Sequence, residues 1–458
     1  MATSDAGGLV GALRNMGPTW LAGAIAVGPA TIGALVTAGA SFGYTLLWVV
    51  VLSAVMGTTA QYLAMRLGLL TEAGIVSTVE DNLGEAWAWL LVVDTVIAAG
   101  VAQLVIMKTV ASVSAVFWTD LAAILGVTGP GLSAPFWAVL WGLVLAVGLA
   151  VGGYRFAQLG AKVVVSLVVL LFLASLTVVP IDYGAAVTGL VPTIPDGVSG
   201  ALTAAGILGG AVHIALVTMQ SYTMRARGWT DEDAELALVD VVASMLVAFG
   251  IASLAIFLVA AAVLSDPELG VVGATQALGP IAGSAAKWLF FAGLLGAAVT
   301  TLGGNTPVPA YVIADKMDWD IGTDDRRYQA TVAAFALVSI LGVFIPGAVF
   351  GLLVQALAIG FVGTPFVLAL VLYLLNDPTA VAQPNSVPEN VGGVLLIGIS
   401  SVVAGQWLRR VAAGGIADPV SLAILAFAAV LTVAMVGLAG LGVRNWLADD
   451  SDPAMAAD

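Results

Sequence analysis

Residues 28–33 read Gly-Pro-Ala-Thr-Ile-Gly in the middle of the first long apolar segment of the chain. Proline lacks a backbone donor and clashes with the preceding turn, and glycine loosens a helix. This hexapeptide therefore predicts an interruption in a membrane-spanning helix. Backbone without helical partners is tolerated at mid-membrane only where it lines a cavity or packs against protein. The interruption carries no acidic residue, which limits the ligands that it can offer to a bound ion.

The composition predicts an all-α, polytopic membrane protein. Of the 458 residues, 60% are hydrophobic and only 9% are charged, whereas a soluble domain carries roughly 25% charged residues. A membrane span needs about 20 mostly apolar residues, and the sequence contains about twelve such stretches. They lie at residues 19–40, 45–67, 88–117, 134–152, 158–180, 202–224, 236–264, 286–312, 329–345, 348–375, 391–411 and 419–443.

Short linkers join these spans, and they predict a single transmembrane domain over residues 1–458. We expect five parts within it. They are a cytoplasmic N-terminus (1–18), a first repeat (19–180), a second repeat (202–375), two extra helices (391–443) and an acidic tail (444–458).

The distribution of Lys and Arg predicts a multi-pass protein of the cell membrane with a cytoplasmic N-terminus. Cytoplasmic loops carry an excess of these residues, and the loops at 118–133, 181–200 and 265–285 contain neither of them. With the N-terminus inside, those three loops face outwards. Arg409 and Arg410 are the exception, because they end the eleventh span on the outer side.

The net charge of −14 is unusual for a protein of an inner membrane. Acidic, lysine-poor loops suit a cytoplasm at high salt, where self-repulsion is screened. We therefore interpret the chain as that of a halophilic prokaryote. Compositional drift in a genome rich in G and C is the alternative, and the excess of Ala, Gly and Val fits it as well.

Two spans are interrupted at corresponding places. The first carries the Gly-Pro-Ala step at 28–30, and the sixth carries Gly-Gly-Ala-Val-His at 209–213. A broken helix at the start of each of two five-helix halves is typical of an inverted-repeat transporter. Simple kinks are the alternative, since Gly and Pro are frequent in membrane helices. Two interruptions at matching positions favour the transporter.

Several stretches of the chain resemble the Nramp family of divalent-metal transporters. The first is GPTWLAGAIAVGPATIGALVTAGASFGYTLLW at 17–48, followed by QYLAMRLGLLTEAG at 61–74. The likeness returns between 152 and 213 in GGYRFAQLGA, YGAAVTGLVPTIP and ALTAAGILGGAVH, and Gln355 is similar to the Gln of the tenth span. The resemblance implies a LeuT-type fold of inverted five-helix repeats. It also implies a proton-coupled importer of manganese or iron, with its site between the broken first and sixth helices.

The chain departs from the family at the site itself. The family motif Asp-Pro-Gly-Asn in the first helix falls on Gly28, Pro29, Ala30 and Thr31. The metal-coordinating Asp and Asn of the family are therefore missing. In the sixth helix the family has Met-Pro-His, and this chain has Ala211, Val212 and His213. The thioether ligand is thus lost, while the imidazole is kept.

The remaining candidate ligands are all neutral. They are the carbonyls of residues 27–30, the Thr31 hydroxyl, His213 and Gln355. One carboxylate about 4 Å from a divalent ion contributes on the order of 8 kcal/mol at an effective dielectric of about 20. Without it, the site suits a still-hydrated cation or a neutral polar solute. The small residues Ala30 and Ala211 would enlarge such a pocket.

His213 and two threonines add further hypotheses. An imidazole titrates near neutrality, so His213 can couple to protons or serve as a metal ligand, although a lone His is often hydrogen-bonded packing. In LeuT-type folds, a hydroxyl pair in the eighth span joins first-helix carbonyls in a sodium site. That resemblance places a sodium site at Val27, Thr300 and Thr301. The alternative is that both hydroxyls bond back to their own helix.

The sequence thus supports two transport hypotheses. In the first, a divergent Nramp-family transporter moves a divalent cation. In the second, the same fold is a symporter of a neutral solute such as a sugar or an amino acid, driven by Na⁺ or H⁺. A receptor or scaffold that has lost transport activity is a third hypothesis, which the complete interruptions and short loops disfavour. No enzymatic activity, cofactor, nucleic acid or protein partner is expected, and the lipid bilayer is the expected surrounding.

Overall fold

The computed structural model describes residues 28–127, 131–150, 155–265, 270–413 and 419–449, and these ranges are helical without a strand. The α-helices of six or more residues are α1 (Pro29–Phe42), α2 (Leu47–Thr71), α3 (Ile75–Leu83), α4 (Glu85–Ile124), α5 (Ala134–Ala150), α6 (Arg155–Ser175), α7 (Tyr183–Thr188), α8 (Val198–Val212), α9 (Ile214–Arg227), α10 (Ala234–Val241), α11 (Gly250–Val263), α12 (Ala286–Asn305), α13 (Val308–Lys316), α14 (Arg326–Val338), α15 (Val349–Val362), α16 (Thr364–Leu374), α17 (Val387–Ala413) and α18 (Pro419–Asp449). A π-helical segment, Val242–Phe249, joins α10 to α11.

The prediction of about twelve spans is confirmed. In the described ranges, nine helical stretches are long and apolar enough to cross a membrane. Three shorter apolar helices, Pro29–Phe42, Ala134–Leu149 and Val164–Ser175, supply the others. Nearly all of the large buried side chains are aliphatic or aromatic, as burial within a helical bundle requires.

Two of the spans that meet at the centre are divided within the described ranges, and the described helix of the first span begins at the proline of the Gly-Pro step. Helix α1 begins at Pro29, and His213 alone separates α8 from α9. The sixth span is therefore broken at one residue, whereas the sequence predicted a looser stretch over 209–213. The tenth span, predicted as continuous over 348–375, divides at Gly363 between α15 and α16. Pro365 explains this division, because it removes a donor in the first turn of α16.

Glycines let these central helices approach closely. A methyl group on Gly206 would lie 2.9 Å from the Val354 side chain, and one on Gly209 would overlap the Leu357 carbonyl. Gly39 faces the backbone of Ala260 and Ala261 in the same way. The contacts join α8 to α15 and α1 to α11, and they fix the distance between the interrupted helices and their neighbours.

The last two helices are longer than predicted. Helix α17 begins at Val387 and α18 runs to Asp449, into the stretch predicted as an acidic tail (444–458), and residues 450–458 lie outside the described ranges. The sequence also missed the short helix α3, which follows the second span. Arg410, one of the two exceptions in the charge pattern, donates to the carbonyls of Pro195 and Gly197 in the loop before α8.

A partly buried ion pair attaches α17 to α2. Arg66 donates to Glu389, which also accepts from the Tyr62 hydroxyl at 2.5 Å and from the Ser386 amide at 2.7 Å. We expect Glu389→Ala to cost about 1–3 kcal/mol, because it leaves the Arg66 guanidinium without its carboxylate. A lower thermal midpoint in detergent would show it. Glu235→Ala, at an exposed position, is the matched control, and an equal midpoint for both variants contradicts this role of the pair.

Candidate functional site

A cavity of about 100 Å³ lies where the interrupted helices meet. A water molecule needs at least about 10–15 Å³ measured in this way, so the cavity has room for several. Its walls combine small and polar residues of α1, α8, α9 and α12 with apolar residues of α4 and α15. The polar and small members used below are Gly28, Thr31, Gly209, Gly210, His213 and Asn305.

The first interruption presents Gly28 and Thr31 to the cavity. Gly28 is extended, with φ −69° and ψ 179°, and its carbonyl accepts from the Ile32 amide at 3.1 Å, which starts α1. The prediction that the carbonyls of residues 27–30 are freed is therefore wrong for the Gly28 carbonyl, which accepts this helical bond, and residue 27 lies outside the described ranges. Thr31 lies beside the sixth span, since a methyl group on Gly210 would lie 2.8 Å from the Thr31 hydroxyl oxygen. The two interruptions are in contact.

The second interruption is where carbonyl groups become available. Helix α8 ends at Val212, and within the described ranges no backbone amide that follows this end donates to the carbonyls of Gly209, Gly210 or Ala211. The last carbonyls of a helix have no partner within it, and they carry the negative end of its dipole. Gly209 and Gly210 line the cavity, whereas Ala211 is buried beside them without lining it. The negative end of α8 therefore points at the cavity.

His213 caps the helix that follows it. Its Nδ1 accepts from the Ala215 amide at 3.2 Å, so the neutral ring carries its proton on Nε2. That Nε2 is buried without a partner in the described part of the chain and packs against Gly360. With one nitrogen accepting from the backbone and the other protonated, the ring has no lone pair for a metal. His213 is a capping residue that borders the cavity.

A polar network on the far wall was not foreseen from the sequence. Asn305 lines the cavity and donates through Nδ2 to the Ala99 carbonyl and to the Gln103 side chain, both at 2.9 Å. Gln103 in turn donates to the Thr306 hydroxyl at 2.5 Å. These bonds fix the amide of Asn305 between α4 and α12. The sequence signal was present as the polar pair Asn305–Thr306 before Pro307 at the end of an apolar span.

Some predicted site residues are not brought to the cavity. Gln355 lies on the exposed side of α15, while Leu353, Ala356 and Leu357 of that helix line the cavity. A helix turns by 100° per residue, so one position decides which face a side chain takes. The Gln355 amide therefore lies away from the other residues that the sequence predicts for the site.

The threonines proposed for sodium bond within their own helix. Thr300 donates to the Ala297 carbonyl at 2.8 Å, and Thr301 donates to the same carbonyl at 2.8 Å. Thr301 lines the cavity. Val27, the third residue proposed, lies outside the described ranges.

Acidic residues are absent from the described cavity lining. Asp94 of α4 is buried and packs against Gly363, but it does not belong to the lining. Over the described ranges no three His, Asp or Glu side chains come close enough to hold a metal. The groups that the described lining offers are therefore neutral: carbonyl, hydroxyl and amide groups and the thioether of Met219.

The chain matches a family model over most of its length and also matches curated proteins. Residues 19–410 match the family model "Natural resistance-associated macrophage protein-like", or Nramp. The divalent metal cation transporter MntH of Mycobacterium tuberculosis is 27% identical over 347 residues, covering 71% of this chain and 76% of the relative.

Solved structures share the fold. The manganese transporter of Eremococcus coleocola, in complex with an aromatic bis-isothiourea substituted compound, superimposes with a TM-score of 0.71 at 15% identity, covering 97% of this chain and 96% of that one. MhsT in complex with L-phenylalanine gives 0.54 at 16% identity, covering 85% and 97%.

Proposed function

The chain belongs to the Nramp family, and on that premise we propose that it is a secondary transporter that carries a divalent metal cation across the cell membrane. The transporters that it resembles include a divalent metal cation transporter and a manganese transporter. We place the cation in the cavity between the interrupted first and sixth spans.

The observation that carries this proposal is the end of α8. Gly209 and Gly210 line the cavity, no backbone amide that follows α8 in the described ranges donates to their carbonyls, and the negative end of the helix dipole lies with them. In transporters of this architecture, unwound carbonyls and the C-terminal ends of half-helices coordinate cations. The Thr31 hydroxyl, beside Gly210, supplies a third oxygen.

A neutral set of ligands has a consequence for the cargo. Hard divalent cations prefer carboxylate and carbonyl oxygens, and the described lining offers no carboxylate. A divalent ion gives up its water only when the site replaces it. We therefore propose that the ion keeps part of its hydration shell here, and a cavity with room for several water molecules is compatible with this. A weak affinity follows.

We propose that transport is driven by H⁺ or Na⁺ and that the N-terminus is cytoplasmic. The charge pattern supports that orientation, because the predicted outer loops, among them residues 181–200, contain no Lys or Arg. In that orientation, the cavity residues Met219, Thr223 and Val308 lie on the cytoplasmic side of the interruptions.

Uptake into proteoliposomes tests this function. We expect saturable uptake of labelled manganese, stimulated by a proton or sodium gradient, and competition by other divalent cations. A panel of sugars and amino acids, offered under the same gradients, is the matched comparison. Saturable uptake of an organic solute with no uptake of manganese would overturn the proposal and would favour the symporter of a neutral solute.

A further inference from the structure

The tenth span contacts the interruption of the sixth at a point outside the cavity. Thr364 begins α16 directly after the division at Gly363, and its side chain is fully buried. Its hydroxyl donates to the carbonyl of Val212 at 2.6 Å. Val212 is the last residue of α8, so this carbonyl has lost its partner at the interruption. Thr364 supplies the hydrogen bond that the helix cannot.

Gly360, one turn earlier, contacts the other side of the same interruption. A methyl group there would overlap the imidazole of His213, with Cε1 at 2.6 Å. The imidazole meanwhile caps α9 through Nδ1. The tenth span therefore holds the end of α8 through Thr364 and packs against the cap of α9 through Gly360.

We propose that Thr364 is a positioning residue of the transport site. It does not line the cavity, and it acts through Val212. By fixing the Val212 carbonyl, it holds α8 so that the carbonyls of Gly209 and Gly210 border the cavity. A buried carbonyl without a donor is costly, so without this hydroxyl the end of α8 turns to find another donor. The identity of the ion in this inference rests on the proposed function.

Three variants test the inference through manganese uptake. Thr364→Val keeps the shape and removes the donor, whereas Thr364→Ser keeps the hydroxyl. Thr432→Val is the control, because that hydroxyl bonds to Ala428 of its own helix at 2.8 Å. We expect Thr364→Val to raise the KM for manganese about tenfold, the effect of one lost buried hydrogen bond. The KM of Thr364→Ser and of Thr432→Val should stay within about twofold of the wild type.

A second readout needs no substrate. The chain contains no cysteine, so a single cysteine in place of Ala215, a residue that lines the cavity, reports its surroundings through the rate of alkylation by a small maleimide. We expect Thr364→Val to change that rate at least about threefold, which corresponds to about 0.7 kcal/mol. In Thr364→Ser the rate should equal that of the protein with Thr364.

Gly360→Ala provides a second variant if Thr364→Val fails to fold. The added methyl displaces the imidazole, so it should raise the KM and change the alkylation rate. Gly351→Ala, whose added methyl would meet no atom within 4 Å, should do neither. An unchanged KM together with an unchanged alkylation rate in Thr364→Val overturns the inference while the proposed function survives. If the wild type takes up no manganese but the alkylation rate still depends on the Thr364 hydroxyl, the positioning role of Thr364 stands and the proposed transport of manganese is wrong.

Discussion

Replacing Gly28 with Asp and Thr31 with Asn is expected to lower the KM for manganese at least tenfold. Both positions line the cavity. Gly28 has an extended backbone with negative φ, and the residue before a proline prefers that region, so an aspartate fits without strain. A carboxylate about 4 Å from the ion contributes on the order of 8 kcal/mol at an effective dielectric of about 20, part of which is offset by its own desolvation. Tenfold corresponds to only about 1.4 kcal/mol.

The matched control for this gain is the double variant Gly28→Asn with Thr31→Asn. It adds nearly the same volume and the same hydrogen-bonding capacity, but no negative charge. Uptake of labelled manganese over a concentration series gives the KM of both variants. If the two variants share one KM, the carboxylate does not reach the ion, and the cation site lies elsewhere in the chain.

Gly209→Ala is expected to cause the largest loss. The added methyl overlaps the carbonyl oxygen of Leu357 and lies 2.9 Å from its carbon. Backbone cannot turn aside as a side chain can, so α8 and α15 must separate, at a cost of about 3 kcal/mol. The carbonyl of Gly209 moves with them. Thermal unfolding in detergent should show a lower midpoint, and uptake of manganese should fall to background.

Gly351→Ala on α15 is the control for Gly209→Ala. It also replaces a helical glycine by alanine, but the methyl meets no atom within 4 Å, and alanine favours the helix by roughly 0.5–1 kcal/mol. We expect wild-type uptake and an unchanged or higher midpoint. Wild-type behaviour of Gly209→Ala would show that the close approach of α8 and α15 is not required for folding or for transport.

The order of the spans could be predicted because hydrophobic length is a local property of the sequence. A run of about 20 apolar residues identifies a membrane helix wherever its neighbours lie. The Gly-Pro step at 28–29 likewise marks an interruption by itself. Gly363-Thr364-Pro365 carries the same kind of signal at the division of the tenth span, although the apolar run at 348–375 predicts a continuous helix there.

The ligands at the site could not be predicted in the same way, because they depend on contacts between distant residues. Thr364 and Val212 are 152 positions apart, and nothing near either residue indicates the other. His213 lies at the edge of the cavity, and its Nδ1 accepts from the Ala215 amide two residues later, a local contact that depends on the residue at which the sixth span breaks. Gln355 was matched by resemblance, but the rotation of α15 placed it outside the cavity.

Anomalous diffraction from crystals grown with manganese tests the central claim most directly, namely that a divalent cation binds where the two interruptions meet. Data collected on either side of the manganese absorption edge give the position of the ion without assumptions about its ligands. The predicted result is one peak in the cavity, beside Thr31 and the carbonyls of Gly209 and Gly210, with ordered water completing its coordination. An empty cavity at saturating manganese, or a peak only at another place in the molecule, would contradict the account.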